Sequence, residues 1–125
     1  MGKAAFEAFL SFVPTLFNAL DEGARNNQDL LFYNAPLVLM FHAAAFADPV
    51  DSYIAATYAM LAAEAQGLGS CMIGSVAPVI KNSNKIKEKY GIPAINQPGL
   101  AIAIGHPAVQ YRRGVQRTLA SVKFI

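Results

Sequence analysis

The chain has 125 residues, a length typical of one domain, and 54% of them are hydrophobic while only 14% are charged. A formal net charge of +2 is too small to indicate a nucleic-acid-binding protein. No apolar run reaches the ~18 residues that a membrane-spanning helix needs, so we expect no membrane partner and attribute the hydrophobic excess to contact between subunits. The single cysteine excludes an internal disulfide and is typical of a cytoplasmic protein.

The N-terminal part is expected to be helical. Residues 3–20 carry apolar side chains at three-and-four spacing, which predicts a helix that Pro14 kinks or splits. The polar residues 21–29 predict a turn or a short exposed helix. The run Leu37–Phe41 is apolar without alternation, which is typical of a strand buried on both faces.

The stretch from Val50 to Ala65 predicts a long central helix. Asp48 is a suitable N-cap, Pro49 suits the first position, and Gly67 suits the C-terminal end. Because the helix is apolar on nearly every side, we expect it to lie inside the protein with the rest of the chain around it.

Shorter elements follow the central helix. The sequence predicts an extended segment, a helical turn, a charged helix with Ile86 facing inward, and a second buried strand: 70–75, 76–81, 83–90 and 99–105, respectively. Since helices and strands are mixed, with the long helix between two strands, the pattern indicates a single α/β or α+β sandwich domain.

No conventional catalytic set or metal site is evident. Cys71, His42 and His106 lack zinc-like spacing, and a structural role is the simpler interpretation of each histidine. Cys71 is expected to be a small buried hydrophobe.

Two segments carry open alternatives. Residues 69–75 either offer backbone N–H groups to a flat aromatic ligand or form an ordinary tight connection between helix and strand. The second segment contains Arg112, Arg113 and Arg117, which either bind a phosphate through their planar donors or form a solvated basic loop.

Five stretches together resemble the C-terminal half of the flavin-dependent nitroreductase family. They are NAPLVLMFHA (34–43), IAATYAMLAAEAQGLGSCMIGS (54–75), KEKYGIP (87–93), LAIAIGHPAVQYRRGVQR (100–117) and SVKF (121–124). The resemblance implies an α+β fold, a three-layer-like sandwich whose mostly antiparallel sheet packs around a long central helix. Residues 1–33 would be N-terminal helices and 34–125 the matching core and tail, with the family's N-terminal FMN-phosphate segment missing.

The resemblance also implies a function. Met72, Ile73 and Gly74 would contact the flavin of FMN, and Arg113 and Arg117 would bind its phosphate. Hydride would pass from NAD(P)H through FMN to a small nitroaromatic or quinone-type acceptor, in a homodimer that exchanges its C-terminal tail, residues 120–125. The alternative is a catalytically inactive, shortened relative that acts as a structural or small-ligand-binding dimer. A membrane-associated protein, the third hypothesis, rests on hydrophobicity alone.

Overall fold

The computed structural model describes residues 2–109 together with residues 112, 114 and 123. Its elements, in chain order, are α1 (Lys3–Arg25), β1 (Leu37–Ala43), α2 (Val50–Ala65), β2 (Gly69–Ile73), α3 (Val76–Lys81), α4 (Asn84–Lys89) and β3 (Gln97–Gly105). The predicted alternation of helices and strands is confirmed, and the long helix lies between two strands in the chain.

β3 is the central strand of a three-stranded sheet with the order β1-β3-β2, and both of its pairings are antiparallel. Its side chains alternate between two buried clusters. Leu100, Ile102 and Ile104 face one side, and Ala101 and Ala103 face the other. A strand with both faces covered has to be apolar throughout, which explains the continuous apolar run in its sequence.

Helices cover both faces of the sheet. On the first face, Ala56 and Ala63 of α2 pack into the cluster with Leu100, Ile102 and Ile104. On the second face, Ile73, Val76, Ile80 and Ile92 pack with Ala101 and Ala103, so α3 and the loop after α4 form the opposite layer. The result is a three-layer α+β sandwich.

β1 differs from its expectation. Leu37–Phe41 was expected to be buried on both faces, yet β1 lies at the edge of the described sheet, is half-buried and leaves Leu37 47% exposed. The expectation was wrong because an apolar run indicates only that a strand contacts the core. The position of the strand within the sheet depends on partners that are distant in sequence.

α2 is enclosed on one side only. Its buried residues are Ser52, Ala56 and Ala63, whereas Tyr58 is 71% and Leu61 62% exposed. The expectation that the chain surrounds this helix is therefore wrong for the single chain. A helix that is apolar on nearly every side therefore has one side on the sheet and a second apolar side open to solvent in the single chain.

α1 is one helix from Lys3 to Arg25 with Pro14 inside it, so the expected split at Pro14 is wrong. Both alternatives for the polar residues 21–29 hold in part, because residues 21–25 form the mostly exposed end of α1 and a turn follows at residues 26 and 27. An ion pair of 2.7 Å between Arg25 and Asp21 supports the last turn. The chain then reverses at Asn27, whose φ is +56°, and the Gln28 N–H donates to the Gly23 carbonyl at 2.8 Å. Within the described part of the chain, no helix is both long and apolar enough to cross a membrane.

Candidate functional site

The predicted flavin segment lies at the end of an edge strand. α2 ends at Ala65, Gly67 takes a φ of +75° that favours glycine, and the chain enters β2 two residues later. Met72 and Ile73 close β2, and Gly74 follows. Since β2 pairs only with β3 in the described sheet, one side of its backbone is free of strand partners. Alternate peptide groups on that side can hydrogen-bond a ligand.

The side chains of this segment point to opposite faces. Met72 pairs with Ile102 on the α2 side of the sheet and is 40% exposed, while Ile73 pairs with Ala101 and is buried in the second-face cluster. Ile73 therefore anchors the strand end and offers only its backbone to a ligand. The accessible groups are the Met72 side chain and the peptide groups.

Gly74 leaves open space at the strand end. The residue is exposed, and no neighbouring atom lies within 4 Å of the position that a Cβ would occupy. A ligand atom can therefore approach the Gly74 backbone from the position that a Cβ would occupy. The predicted flavin contact through Met72, Ile73 and Gly74 stays a prediction, and the open position at Gly74 is compatible with it.

The expected phosphate-binding residues, Arg113 and Arg117, lie outside the described residues, as do most positions of the tail 120–125. Arg112 is described and exposed. The structure thus places Met72–Gly74 at the end of β2, while their role and that of the basic residues stay predictions.

Cys71 is exposed, so the expectation of a buried hydrophobe is wrong. Its side chain shares a face with Ile73, but Val76 and Ile80 cover Ile73 and leave the middle of this edge strand open. Cys71 instead lines a groove of about 350 Å³ between the Phe32–Pro36 turn and the Gly105–Pro107 segment.

The two histidines have different surroundings. His42 of β1 forms a hydrogen bond of 2.9 Å between its Nδ1 and Asn96 Nδ2, which joins β1 to the loop before β3. His106 follows β3, is exposed, and lines the same groove as Cys71. The described residues contain no group of three His, Cys, Asp or Glu side chains that could hold a metal ion.

Lys87 is a structural residue that the sequence did not reveal. It is 7% exposed, and its ammonium donates to the carbonyls of Ala94 at 2.6 Å and Asn96 at 3.1 Å. The lysine thereby fixes the loop between α4 and β3. It stands in a run of charged residues, NKIKEK, and nothing in that run distinguishes it from its exposed neighbours.

An apolar cavity of about 390 Å³ separates α1 from the second face of the sheet. Its walls come from α1, the turn before β1, β1 itself, α3 and α4; among the lining residues are Phe17, Leu20, Leu31, Phe32, Met40, Val79, Ile86 and Tyr90. Its lining is drawn from five separate parts of the chain, so no local pattern could have predicted it.

Comparisons with known proteins agree with this architecture. The model of the Nitroreductase family matches residues 1–106, a range that includes the N-terminal helix. Two solved structures described as FMN-dependent nitroreductases from Clostridium difficile R20291 are similar. The first has 26% sequence identity and a TM-score of 0.57, and the match covers 74% of this chain and 58% of the chain in that structure. The second has 22% sequence identity and a TM-score of 0.63, and the match covers 86% of this chain and 68% of the chain in that structure.

The chain therefore spans little more than half the length of the first of these structures. No curated protein matches it at a significant level. Because the family match covers well over half of the 125 residues, the chain belongs to the nitroreductase family.

Proposed function

We propose that this protein binds FMN as a homodimer and passes hydride from NAD(P)H to a small nitroaromatic or quinone-type acceptor. One observation carries the proposal: the open backbone of Met72–Gly74 at the end of an edge strand, in a chain similar to FMN-dependent nitroreductases. A cytoplasmic location is part of the same proposal.

The chain's own residues bind and orient the cofactor. Peptide N–H groups of Met72–Gly74 would donate to the polar edge of the ring, the Met72 side chain would cover part of the ring, and Ile73 would hold the strand end rigid through its burial. Arg113 and Arg117 would bind the phosphate through their planar guanidinium groups. Bound flavin supplies the redox chemistry itself, so the protein needs no acid–base set of its own.

The homodimer is supported by a stripe on α2, which we call the α2 stripe: Val50, Tyr53, Ile54, Tyr58 and Leu61. These residues are 45–71% exposed. Val50, Ile54, Tyr58 and Leu61 lie on the side of the helix opposite to the buried Ser52, Ala56 and Ala63, and Tyr53 lies at the border between the two sides. Asp51 is the only charged residue between Val50 and Leu61. A second copy that covers the stripe buries apolar area with little charge desolvation, and the C-terminal tail 120–125 would cross to that copy.

The test is an absorbance spectrum of the purified protein after incubation with FMN and desalting. We expect flavin bands to elute with the protein, and NAD(P)H to bleach them without oxygen. Colourless protein after desalting would contradict FMN binding. Flavin that stays with the protein but is not reduced by NADH or NADPH would contradict the proposed reaction alone.

A second candidate is an inactive relative that binds a small apolar molecule. The observation in its favour is the apolar cavity between α1 and the second face, which is large enough for one substituted ring and requires no flavin. A dimer that binds a hydrophobic dye and does not bind FMN would support this candidate over the first.

A further inference from the structure

Another cavity of about 390 Å³ lies beside β1, next to the apolar cavity described above. We call it the His42 cavity; its lining residues are Phe32, Val38, Met40, His42, Tyr90 and Ile92. Because β3 stands between β1 and β2, this cavity and the segment Met72–Gly74 belong to opposite edges of the described sheet. The His42 cavity is therefore separate from the proposed flavin contact.

The His42 cavity has an apolar floor and a polar opening. Ile92 is 6% exposed, and the half-buried residues of the lining are Phe32, Val38 and Met40. His42 and Tyr90 are exposed, so they mark the side that opens to solvent. Ligand pockets of roughly 300–1,000 Å³ typically combine an apolar lining with a few placed polar groups. An apolar cavity of about 150 Å³ is already large enough to bind benzene, so the His42 cavity has room for a substituted ring.

His42 is held in place by the loop before β3. Its Nδ1 lies 2.9 Å from Asn96 Nδ2. Asn96 is itself fixed, because its carbonyl accepts a hydrogen bond of 3.1 Å from the Lys87 ammonium and its N–H donates to the Pro93 carbonyl at 2.9 Å. Asn96 occupies Nδ1, so a ligand would meet Nε2. The imidazole is oriented before a ligand arrives, which lowers the entropic cost of a hydrogen bond to it.

From these observations we infer that the His42 cavity binds a small neutral phenol. The aromatic ring would lie among the apolar side chains, beside the rings of Phe32 and Tyr90, and the hydroxyl would meet His42 Nε2. A hydroxyl both donates and accepts hydrogen bonds, so it suits either tautomer of the imidazole. The inference goes beyond the proposed reaction and does not depend on it.

The charges around the cavity favour a neutral ligand over a carboxylate. Among the described residues that line it, none is a lysine or an arginine. The Lys89 ammonium lies 5.3 Å from the centre of the Tyr90 ring, but Lys89 does not line the cavity. A carboxylate in the cavity would therefore lose hydration without gaining a lysine or arginine partner from the lining.

The experiment titrates the protein with para-cresol, toluene and para-toluate and follows the amide signals by NMR. We expect para-cresol to shift the signals of β1 and of the loop 91–97, and to bind more tightly than para-toluate. His42→Phe keeps a ring but removes its nitrogens. It should change the ratio of the para-cresol and toluene dissociation constants about five- to tenfold in favour of toluene, as expected for the loss of one hydrogen bond.

Two further variants separate recognition by His42 from a general effect on the fold. Asn96→Ala removes the group that orients the imidazole, and it should move the same ratio in the same direction by a smaller factor. An unchanged ratio in this variant would overturn the positioning role of Asn96. His106→Phe is the matched control, since His106 is exposed and does not line the cavity, and it should leave the ratio as it is.

The remaining outcomes test the site and the ligand class in turn. Para-cresol that shifts no signal of β1 or of the loop 91–97 overturns the site. An unchanged ratio in His42→Phe, or binding of para-toluate as tight as that of para-cresol, overturns the assignment of a neutral phenol. FMN retention, measured on the same sample, reports the proposed flavin contact independently of these results.

Discussion

Gly99 of β3 lies directly against Ser52 of α2. A Cβ at Gly99 would overlap the Ser52 Cβ, and it would lie 2.9 Å from Ser52 Oγ and 3.3 Å from the Phe41 carbonyl oxygen. Ser52 is 5% exposed, so neither backbone can move aside easily. The missing side chain at Gly99 is thus what allows α2 to rest on the sheet at this distance.

We therefore expect Gly99→Ala to destabilise the fold by about 1–3 kcal/mol, the usual range for overpacking a core. Urea denaturation followed by circular dichroism measures the change. Gly74→Ala is the control, because no atom lies within 4 Å of a Cβ at Gly74. Equal stability of the two variants would show that α2 and β3 can move apart enough to accommodate an added methyl group.

Lys87→Met should destabilise the protein by about 1–3 kcal/mol, since the carbonyls of Ala94 and Asn96 lose a charged donor while the apolar stem is kept. Hydrogen exchange should rise in the loop 91–97. Lys85→Met, at an exposed position of the same helix, should change neither measurement. Unaltered exchange in the loop of the Lys87 variant would mean that the ammonium does not fix it.

Asp29 should make stability depend on pH. The Phe32 N–H, at 2.8 Å, is the main cause that lowers the pKa of Asp29 below 3.8; partial burial opposes it, and the N–H groups of Asn34 and Leu31 add to the lowering. Because the folded pKa is the lower one, the stabilisation is complete above 3.8 and is lost as the pH falls through the folded value.

Asp29→Asn tests this dependence, since Leu31 and Phe32, which the carboxylate positions, pack on the second-face cluster. The variant should be less stable than the unaltered protein at pH 7, and the difference should vanish in strong acid. Thermal unfolding from neutral to acidic pH measures it, with the exposed Glu7→Gln as the control. A difference that stays constant across the pH range would exclude the charge as its origin.

Tyr58→Glu should convert the proposed dimer into a monomer. Tyr58 is the most exposed residue of the α2 stripe, at 71%, so a carboxylate there costs the single chain little but would be buried without a partner in the dimer. The dissociation constant should rise at least about a hundredfold in sedimentation equilibrium. Lys85→Glu on α4 is the charge control, and a Tyr58 variant that dimerises normally would place the interface elsewhere.

Gly74→Leu should weaken FMN binding about tenfold without a loss of stability, because the new side chain occupies the open space at the end of β2. Quenching of flavin fluorescence on titration measures the affinity. Gly2→Leu is a matched control, since a Cβ at Gly2 also meets nothing within 4 Å. Unchanged affinity in the Gly74 variant would remove this strand end from the flavin site.

The order of the elements was predictable because each depends on local patterns. The glycine-flanked run 99–105 gave the buried strand that the structure extends to Gln97–Gly105, and the capped apolar run after Pro49 gave α2. The family motifs led to the segment Met72–Gly74, whose backbone proves accessible. Burial at single positions was less predictable. Cys71, expected to be buried, is exposed on an edge strand of the described sheet, and Lys87, in a run of charged residues, is buried under a loop.

By itself, the sequence determined the alternation of helices and strands, the α+β class and the family, since periodicity, glycine positions and motif order are properties of neighbouring residues. Only the tertiary structure decided that β3 is central and that β1 and β2 lie at the edges of the described sheet. It also decided that α2 covers the sheet with one side and exposes the α2 stripe, and that Gly74 opens to solvent. These features depend on which distant segments pair and pack. An apolar residue in a sequence indicates burial, but it does so equally whether the surface that covers it belongs to the same chain or to another.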